Sequence, residues 1–567
     1  MLVWSALSGV LWALAWPAIG GFTWLAFVAW LPLLHAERLH ERRTAGRGRA
    51  FYPYTLIAFF LWNALTTYWF FLVSEPMTTK LVSVGVPVVG NTLLMGIPWW
   101  LRRAVKRRLG ARWADAALIA CWLAGERLHH SWDLQWPWLT LGNVFGTRPS
   151  WVQWYEFTGV MGGSLWVMLV AVALNAAITE WKLGRWHSSR WLIIAASIAL
   201  VPLGASFLSF ASHSELKKGN GLEVVVVQPN IDPYNEKFSG VHPLEQLDRM
   251  IALAEPLITE RTRLVVFPET ALQEGAAIEN TDHGIELNGL WENDLEASRS
   301  VKRFRGLQRA HPQLAVLCGM SSDRWFRAQD EMPVTARPIK GSPYWYESYN
   351  AALWLPAQGS AQSYHKSKLV AGVELMPYEE VLGPLGELAL DLGGTTGSLG
   401  GQEERSVLRD GASGLAIVPA ICYESVFGRH VAAHARNGGE LIAVMTNDGW
   451  WGDSPGYEQH LAFSSLRAIE TRRDVVRSAN TGISCIVDQR GVIRQRTQWW
   501  RPAAFVASVH PNSEITFFTR HGDLIGGLAL SLAALLLAAL LIRSFIPAQY
   551  SGTRRANGPS SAITVKE

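Results

Sequence analysis

Apolar residues in this chain gather in long blocks, with polar residues collected in the gaps between them. Crossing a bilayer as a helix takes roughly 20 mostly apolar residues. Seven candidate blocks precede residue 212, at about 2–20, 22–36, 51–73, 82–101, 114–128, 157–179 and 191–211. An eighth, about 523–546, follows a long polar region. Two of the eight, 22–36 and 114–128, are short. One such block alone is compatible with a buried helix of a soluble protein, but seven in succession leave no polar faces to meet water. The opening MLVWSALSGVLWALAWPAIGG lacks a basic leader and an A-x-A cleavage site, and a second apolar block follows it at once. It is expected to stay as a span.

Between the seventh and eighth blocks the period changes. Short β-branched runs recur in LEVVVVQPNI (222–231), RLVVFPET (263–270), LAVLCGM (314–320), GLAIVPAICYE (414–424) and LIAVMTND (441–448). Amphipathic stretches such as PLEQLDRMIALAEPLITE (243–260) separate several of them. Strands alternating with helices predict a layered α/β domain of sheets and helices. The expected organisation is a seven-span domain (1–212), an α/β domain (213–515), a last span (516–548) and a disordered tail (549–567). The polar stretches 274–300 and 378–412 have little periodicity and are expected to form surface loops or lids.

Charge decides the orientation. Short cytoplasmic loops carry an excess of Lys and Arg. Loop 37–49 holds Arg38, Arg42, Arg43, Arg47 and Arg49, and loop 102–113 holds Arg102, Arg103, Lys106, Arg107, Arg108 and Arg112. Loop 181–190 holds Lys182, Arg185 and Arg190, whereas 74–81 has only Lys80. With eight spans every basic loop falls on one side, together with Arg554 and Arg555 of the tail. That side is expected to be the cytoplasm, which puts 213–515 in the periplasm of a double-membraned bacterium. Charged residues make up 17% of the chain against about 25% in soluble proteins, which fits a membrane protein. The 28 Trp favour membrane interfaces for the same reason. A net charge of +4 gives no case for nucleic acid.

The four cysteines, Cys121, Cys318, Cys422 and Cys485, form neither a CxxC pair nor a disulfide framework. No metal site or cofactor is expected. Three ionisable residues stand where strands end: Glu269 in RLVVFPET, Lys366 in YHKSKLV and Cys422 in ICYES. A sheet holds such residues rigidly while the strand end leaves them open. Singly, each has a plainer account as a turn carboxylate, a solvated lysine or a small core residue.

Together, the order Glu, Lys, Cys in FPET, YHK and CYE resembles the nitrilase (carbon–nitrogen hydrolase) superfamily. LWALAWPAIGGFTWLAFVAWLPLL (11–34), WPWLTLGN (136–143), TNDGWWGDSPGYEQHLAFSSLRAIETRR (446–473) and VRSANTGIS (476–484) are similar to segments of its membrane-embedded branch, the apolipoprotein N-acyltransferases. The resemblance implies an α-β-β-α sandwich carrying a Glu269–Lys366–Cys422 triad, with Glu374 assisting and Glu424 shaping the pocket. It also implies a phospholipid acyl donor and a diacylated apolipoprotein as acceptor, both within the bilayer. Phe267, Tyr423, Trp450 and Trp451 are candidates for an aromatic wall near the membrane, with core packing the alternative for each. LVAGVELMP (369–377) departs from the VPFGEFVP-like string of many members, though Glu374 stays in register. Two other functions compete. A membrane-bound amidase hydrolysing small C–N substrates would keep the triad but has no use for so many spans. A catalytically dead scaffold would not need the triad.

Overall fold

The computed structural model describes residues 1–44, 51–73, 77–184, 188–213, 221–237, 240–275, 277–281, 284–378 and 398–545. Its first part is helical: α1 (Leu2–Ala15), α2 (Trp30–Arg43), α3 (Tyr52–Thr67), α4 (Met77–Arg108), α5 (Ala114–Leu128), α6 (Val160–Lys182) and α7 (Ser188–Ser212). Among the described residues, five segments are long and apolar enough to cross a membrane: Tyr52–Leu72, Val84–Arg108, Val160–Lys182, Ser189–Ser212 and Leu524–Phe545. The other three predicted spans correspond to shorter helices, α1 and α2 of 14 residues and α5 of 15. At 1.5 Å per residue these reach only about 21–23 Å, less than a hydrocarbon core of about 30 Å. Pro17 follows the end of α1, and the chain turns back there through Gly21 at φ +69°.

Tryptophan divides: Trp24, Trp100, Trp113, Trp181 and Trp191 are exposed, as an interfacial role allows, while others are buried. Trp12, Trp16, Trp30, Trp62, Trp69, Trp99 and Trp138 are all fully buried inside the molecule. Trp12 stacks on Trp62 with ring centroids 4.9 Å apart and meets Trp30 edge-on at 4.8 Å. In this buried group, large flat rings fill the gaps between helices. The basic loops also begin inside helices, since α2 runs to Arg43 and α4 to Arg108. Cations in a last helical turn complement the helix dipole. Arg102 pairs with Glu37 and, at 2.7 Å, with Asp115; Lys106 pairs with Glu41 at 2.7 Å. Arg47, Arg49, Arg185, Arg554 and Arg555 lie outside the described residues, as does 379–397 within the expected lid.

The strands are β1 (Leu222–Gln228), β2 (Thr262–Val266), β3 (Ala277–Thr281), β4 (Gly284–Asn288), β5 (Ala315–Arg327), β6 (Arg337–Pro338), β7 (Tyr344–Leu355), β8 (Gln362–His365), β9 (Leu408–Arg409), β10 (Ala416–Ile421), β11 (Leu441–Thr446), β12 (Val475–Ala479), β13 (Cys485–Val487), β14 (Ile493–Arg494) and β15 (Ala503–Val509). One sheet has the order β15-β1-β2-β5-β7-β6, with β8 also paired to β7; the second has the order β14-β13-β12-β11-β10-β9. The stretch 274–300, predicted as a loop, contains the β3–β4 hairpin.

Helices α8 (Pro243–Ala254), α9 (Arg299–Ala310), α10 (Gly428–Arg436) and α11 (Pro455–Thr471) cover the two sheets, and α12 (Leu524–Phe545) follows. Alternate side chains explain the layering. Val224 and Val226 share a core with Ile417, Met445 and Val476 of the other sheet. Val225 and Val227 instead pack with Leu247 and Met250 of α8 and Phe304 of α9. On the far side, Val418 and Val444 meet Val431 of α10 and Leu461 and Ala468 of α11. The order is therefore helix, sheet, sheet, helix.

Helix α11 also joins the two halves of the molecule. Its Phe463, Leu466 and Ile469 belong to the same core as Trp12, Trp62 and Trp138 of the helical part, and so do Tyr423, Val426 and Phe427. Gln459 donates to the Thr66 carbonyl at 3.1 Å and accepts from Trp138 at 2.7 Å. This packing brings the segment after β10 against the helical bundle.

Candidate active site

Cys422 is the first residue after β10 and opens a tight turn, Cys422–Val426, in which its own φ is +49°. A non-glycine residue there carries a strain of about 1–3 kcal/mol, so the surroundings must hold it. Glu424 does part of this. Its carboxylate accepts from the amides of Ile421 (2.8 Å) and Ser367 (2.6 Å) and from the Tyr364 hydroxyl (2.7 Å). It thereby ties the cysteine turn to the segment carrying Lys366. His430 and these amides overcome the cost of burial and hold Glu424 ionised, with a pKa of about 2.

Glu269 follows β2 closely, and Thr270 beside it has φ +45°. Gly319 of β5 passes directly beneath: a Cβ there would lie 2.5 Å from the Glu269 Cα, so only glycine fits. Lys366 comes directly after β8, and its amide is fixed by the Asn350 carbonyl at 2.9 Å. The Lys366 ammonium donates to Glu269 at 2.9 Å and to Glu374 at 2.8 Å. Asn350 donates to the same two carboxylates, at 2.9 and 2.7 Å. Glu374 is held in turn by the Val370 amide at 2.8 Å.

These groups are buried, and burial alone would neutralise them. Against that penalty, Lys366 and Asn350 draw the Glu269 carboxyl below its ordinary range, while Glu269 and Glu374 hold the Lys366 ammonium well above its own. For Cys422 burial wins. It pushes the thiol well up, the Glu269 charge adds to this, and the charge of Lys366 opposes it. The resting site is thus carboxylate, ammonium and neutral thiol.

Two contributors, Lys237 and Asn350, carry no signal in the sequence. Lys237 is buried and donates to the Glu269 carbonyl (3.1 Å) and the Thr270 hydroxyl (2.6 Å), pinning that bend; burial lowers its pKa to about 8. Asn350 reads as an ordinary strand residue. Behind the cysteine lies a fully buried set: Asp448 pairs with His460 Nδ1 at 2.9 Å and with Arg477 at 2.6 Å. His460 Nε2 is 3.1 Å from the Cys422 carbonyl oxygen, which also accepts from the Ser425 hydroxyl at 2.7 Å. This set holds the strained turn by its backbone. With Cys422 as the nucleophile of an acyl-enzyme, His460→Gln is expected to slow its acylation on the order of tenfold or more while substrate affinity changes little, because it shifts the sulfur rather than removing a substrate contact. Single-turnover kinetics checks this; an unchanged acylation rate would leave His460 with a packing role only.

The aromatic candidates separate. Tyr423 donates to the Gln135 carbonyl at 3.0 Å, and Trp451 packs on Trp69 with centroids 4.8 Å apart, so both face the helical part. Trp450 packs edge-on against Tyr234. Phe267 is buried against Phe304 in the outer helix layer, so it belongs to the core and not to a membrane-side wall. Cys318 and Cys485 are buried within β5 and β13, and Cys121 within α5.

Two family models match this chain. The carbon-nitrogen hydrolase model covers residues 223–514, and the apolipoprotein N-acyltransferase N-terminal domain model covers residues 8–173. An apolipoprotein N-acyltransferase of Chlorobaculum tepidum is 30% identical over 550 residues, covering 95% of this chain and 96% of the relative. Another of that name, from Geobacter metallireducens, is 27% identical and covers 95% of both chains. A solved amidase from Nesterenkonia sp. aligns with 53% of this chain and 93% of its own at 17% identity and a TM-score of 0.33. With both models side by side on one chain and a relative matched nearly end to end, this chain belongs to the apolipoprotein N-acyltransferase family.

Proposed function

We propose that this chain moves a fatty acyl group from a membrane phospholipid to the α-amino group of the diacylglyceryl-cysteine that begins an apolipoprotein, through a thioester on Cys422. The observation that carries this is one juxtaposition. A cysteine in a strained turn, under the charges of Glu269 and Lys366, stands where the sandwich packs into a bundle of apolar helices.

Each group has a definite task in this scheme. As the sulfur attacks the ester carbonyl of the phospholipid, its proton passes to Glu269, which acts as general base. Lys366 supplies fixed positive charge to the oxyanion. The intermediate collapses, the ester C–O bond breaks, and the departing lysophospholipid oxygen takes the proton back from Glu269. In the second half the lipoprotein amine attacks the thioester, again losing a proton to Glu269. The C–S bond breaks and the Cys422 thiolate recovers that proton. Glu374 and Asn350 keep Lys366 and Glu269 aligned throughout.

A thiol held in its neutral form argues that proton transfer accompanies attack and does not precede it. Purified protein given phospholipid and a diacylated lipopeptide is expected to add a third acyl chain to the peptide, detected by mass. Release of free fatty acid with no acylated peptide would instead favour hydrolysis, the amidase-like outcome.

In the same reading the chain crosses the bacterial inner membrane about eight times, with its basic helix ends in the cytoplasm and the sandwich in the periplasm. A cysteine introduced at exposed Val334 should react with an impermeant thiol reagent in intact spheroplasts, and one at exposed Arg112 should not. The reverse pattern would overturn the orientation.

A further inference from the structure

The site holds a second buried ammonium, Lys237, to which the acyl-transfer scheme gives no task. Lys237 lies in the segment after β1. Its amide donates to the Asp232 carbonyl at 2.9 Å, and its own carbonyl accepts from the buried Gln246 side chain at 2.9 Å. The stem is thereby fixed at both backbone groups, and the residue is 3% exposed.

The ammonium reaches the bend that carries Glu269. Strand β5 binds this bend on either side of the carboxylate. The Gly319 amide donates to the Pro268 carbonyl at 3.0 Å, and the Ser321 amide to the Leu272 carbonyl at 2.9 Å. The Glu269 carbonyl between them accepts from Lys237 at 3.1 Å, as does the Thr270 hydroxyl at 2.6 Å. Thr270 stands at φ +45°, where a β-branched residue stays only under constraint.

Both of these acceptors are neutral. A glutamine amide could serve them, whereas taking an ammonium out of water carries a heavy penalty. What a neutral donor could not supply is charge. Glu269 and Glu374 bring two negative charges against the single positive charge of Lys366. Among the described residues, the titratable groups that act on Lys237 from the packed elements are Glu269 after β2, Cys318 of β5 and Cys422 after β10. Lys366 acts on Glu269 alongside it.

We infer that Lys237 is a positioning residue of the acylation step, holding Glu269 by its backbone and offsetting the negative charge that builds as Cys422 attacks. This rests on the thioester reading above. The proton passes from Cys422 to Glu269 as before, and Lys237 keeps its own throughout. Without that second positive charge the sulfur would attack within an excess of negative charge. Burial brings the Lys237 ammonium down to about 8, while the Cys422 thiol and the Lys366 ammonium are held well above their ordinary ranges. Acylation is therefore expected to fall as pH rises through about 8, where Lys237 loses its proton.

Single-turnover release of lysophospholipid tests this, with the full chain in detergent and phosphatidylglycerol, whose headgroup does not titrate near neutrality. The readout is the same whether water or an amine later takes the acyl group. Wild type should slow about tenfold between pH 7 and 9, the drop for one proton lost near 8. Lys237→Gln, which keeps a donor but no charge, should acylate on the order of tenfold more slowly at pH 7 and show no such drop. Lys237→Arg, charged throughout, should outpace Lys237→Gln and also lose the drop. Thermal unfolding identifies a variant that fails to fold, and the wild-type profile then decides alone. A wild-type rate level from pH 7 to 9, a drop that persists in Lys237→Gln, or a Lys237→Gln rate equal to wild type would overturn the inference. No release at any pH would overturn the thioester reading and this inference with it.

Discussion

Cys422→Ala is expected to lower acyl transfer by a factor on the order of a thousand or more, while the protein still inserts and folds. Removing the nucleophile of a covalent mechanism leaves only the rate that binding and oxyanion stabilisation can support. The fold survives because the side chain is only partly buried at the rim of the inter-sheet core, and alanine keeps its Cβ. A stability loss of about 1 kcal/mol is the ordinary scale for such a change. Cys422→Ser should fare little better, since a hydroxyl in the same place is far harder to deprotonate. Cys318→Ala and Cys485→Ala provide the contrast. Both side chains are buried within strands, so they should lower the unfolding temperature and leave turnover per folded molecule intact. Thermal unfolding and transfer assays on the four variants separate the two effects. Transfer above a few per cent in Cys422→Ala would remove it from the nucleophile role.

The second large effect belongs to Glu269. Glu269→Gln removes the proposed base and one of the two anions that balance Lys366. Loss of general base catalysis alone is worth a factor of about 10²–10⁴. Breaking a buried ion pair typically destabilises by about 3–5 kcal/mol, but Glu374 still matches Lys366 at 2.8 Å, so the stability loss should fall below that range. Glu374→Ala, which leaves the base in place, should slow acylation by an intermediate factor.

The pH dependence follows from the same contacts. Because the Glu269 carboxyl is held below its ordinary range, the ionised form persists as pH falls through the usual carboxylate value of about 4.3. Its contribution to stability is complete above that value and is lost only as pH falls through the lower, folded-state pKa. The acid limb of Cys422 acylation should therefore lie below about pH 4.3. A limb centred between pH 6 and 7 would point to a different base.

Much of this site is legible in the sequence because sheets announce themselves. The β-branched runs before Glu269 and Cys422 are buried strands, and both residues stand just past strand ends, as expected. The layering is legible too, since alternate valines of β1 must face different partners. What the sequence hides is the buried polar support. Lys237 and Asn350 come from distant stretches and resemble any surface polar residue until the fold brings them inward, while Asp448, His460 and Arg477 stand in the strings 446–473 and 476–484 with nothing to mark their pairing behind Cys422. Nor does hydropathy mark helix ends well. It stops α4 at 101, whereas α4 continues to Arg108 because Arg102 and Lys106 are paired with carboxylates of neighbouring segments and the cations of the last turn suit the helix C-terminus. Between the two readings open for Phe267, pocket wall or core, its position in the pleat decides for the outer core.

The central claim is a covalent acyl-enzyme on Cys422, and intact mass of the protein incubated with phospholipid alone tests it most directly. An adduct of one acyl chain is predicted, located on Cys422, cleaved by neutral hydroxylamine and matched one-for-one by released lysophospholipid. It should persist in water and disappear when diacylated lipopeptide is added, because the buried site excludes competing attack. An enzyme that carries no adduct until the lipopeptide is also present, yet still completes transfer, would contradict the account and replace it with direct transfer in a ternary complex.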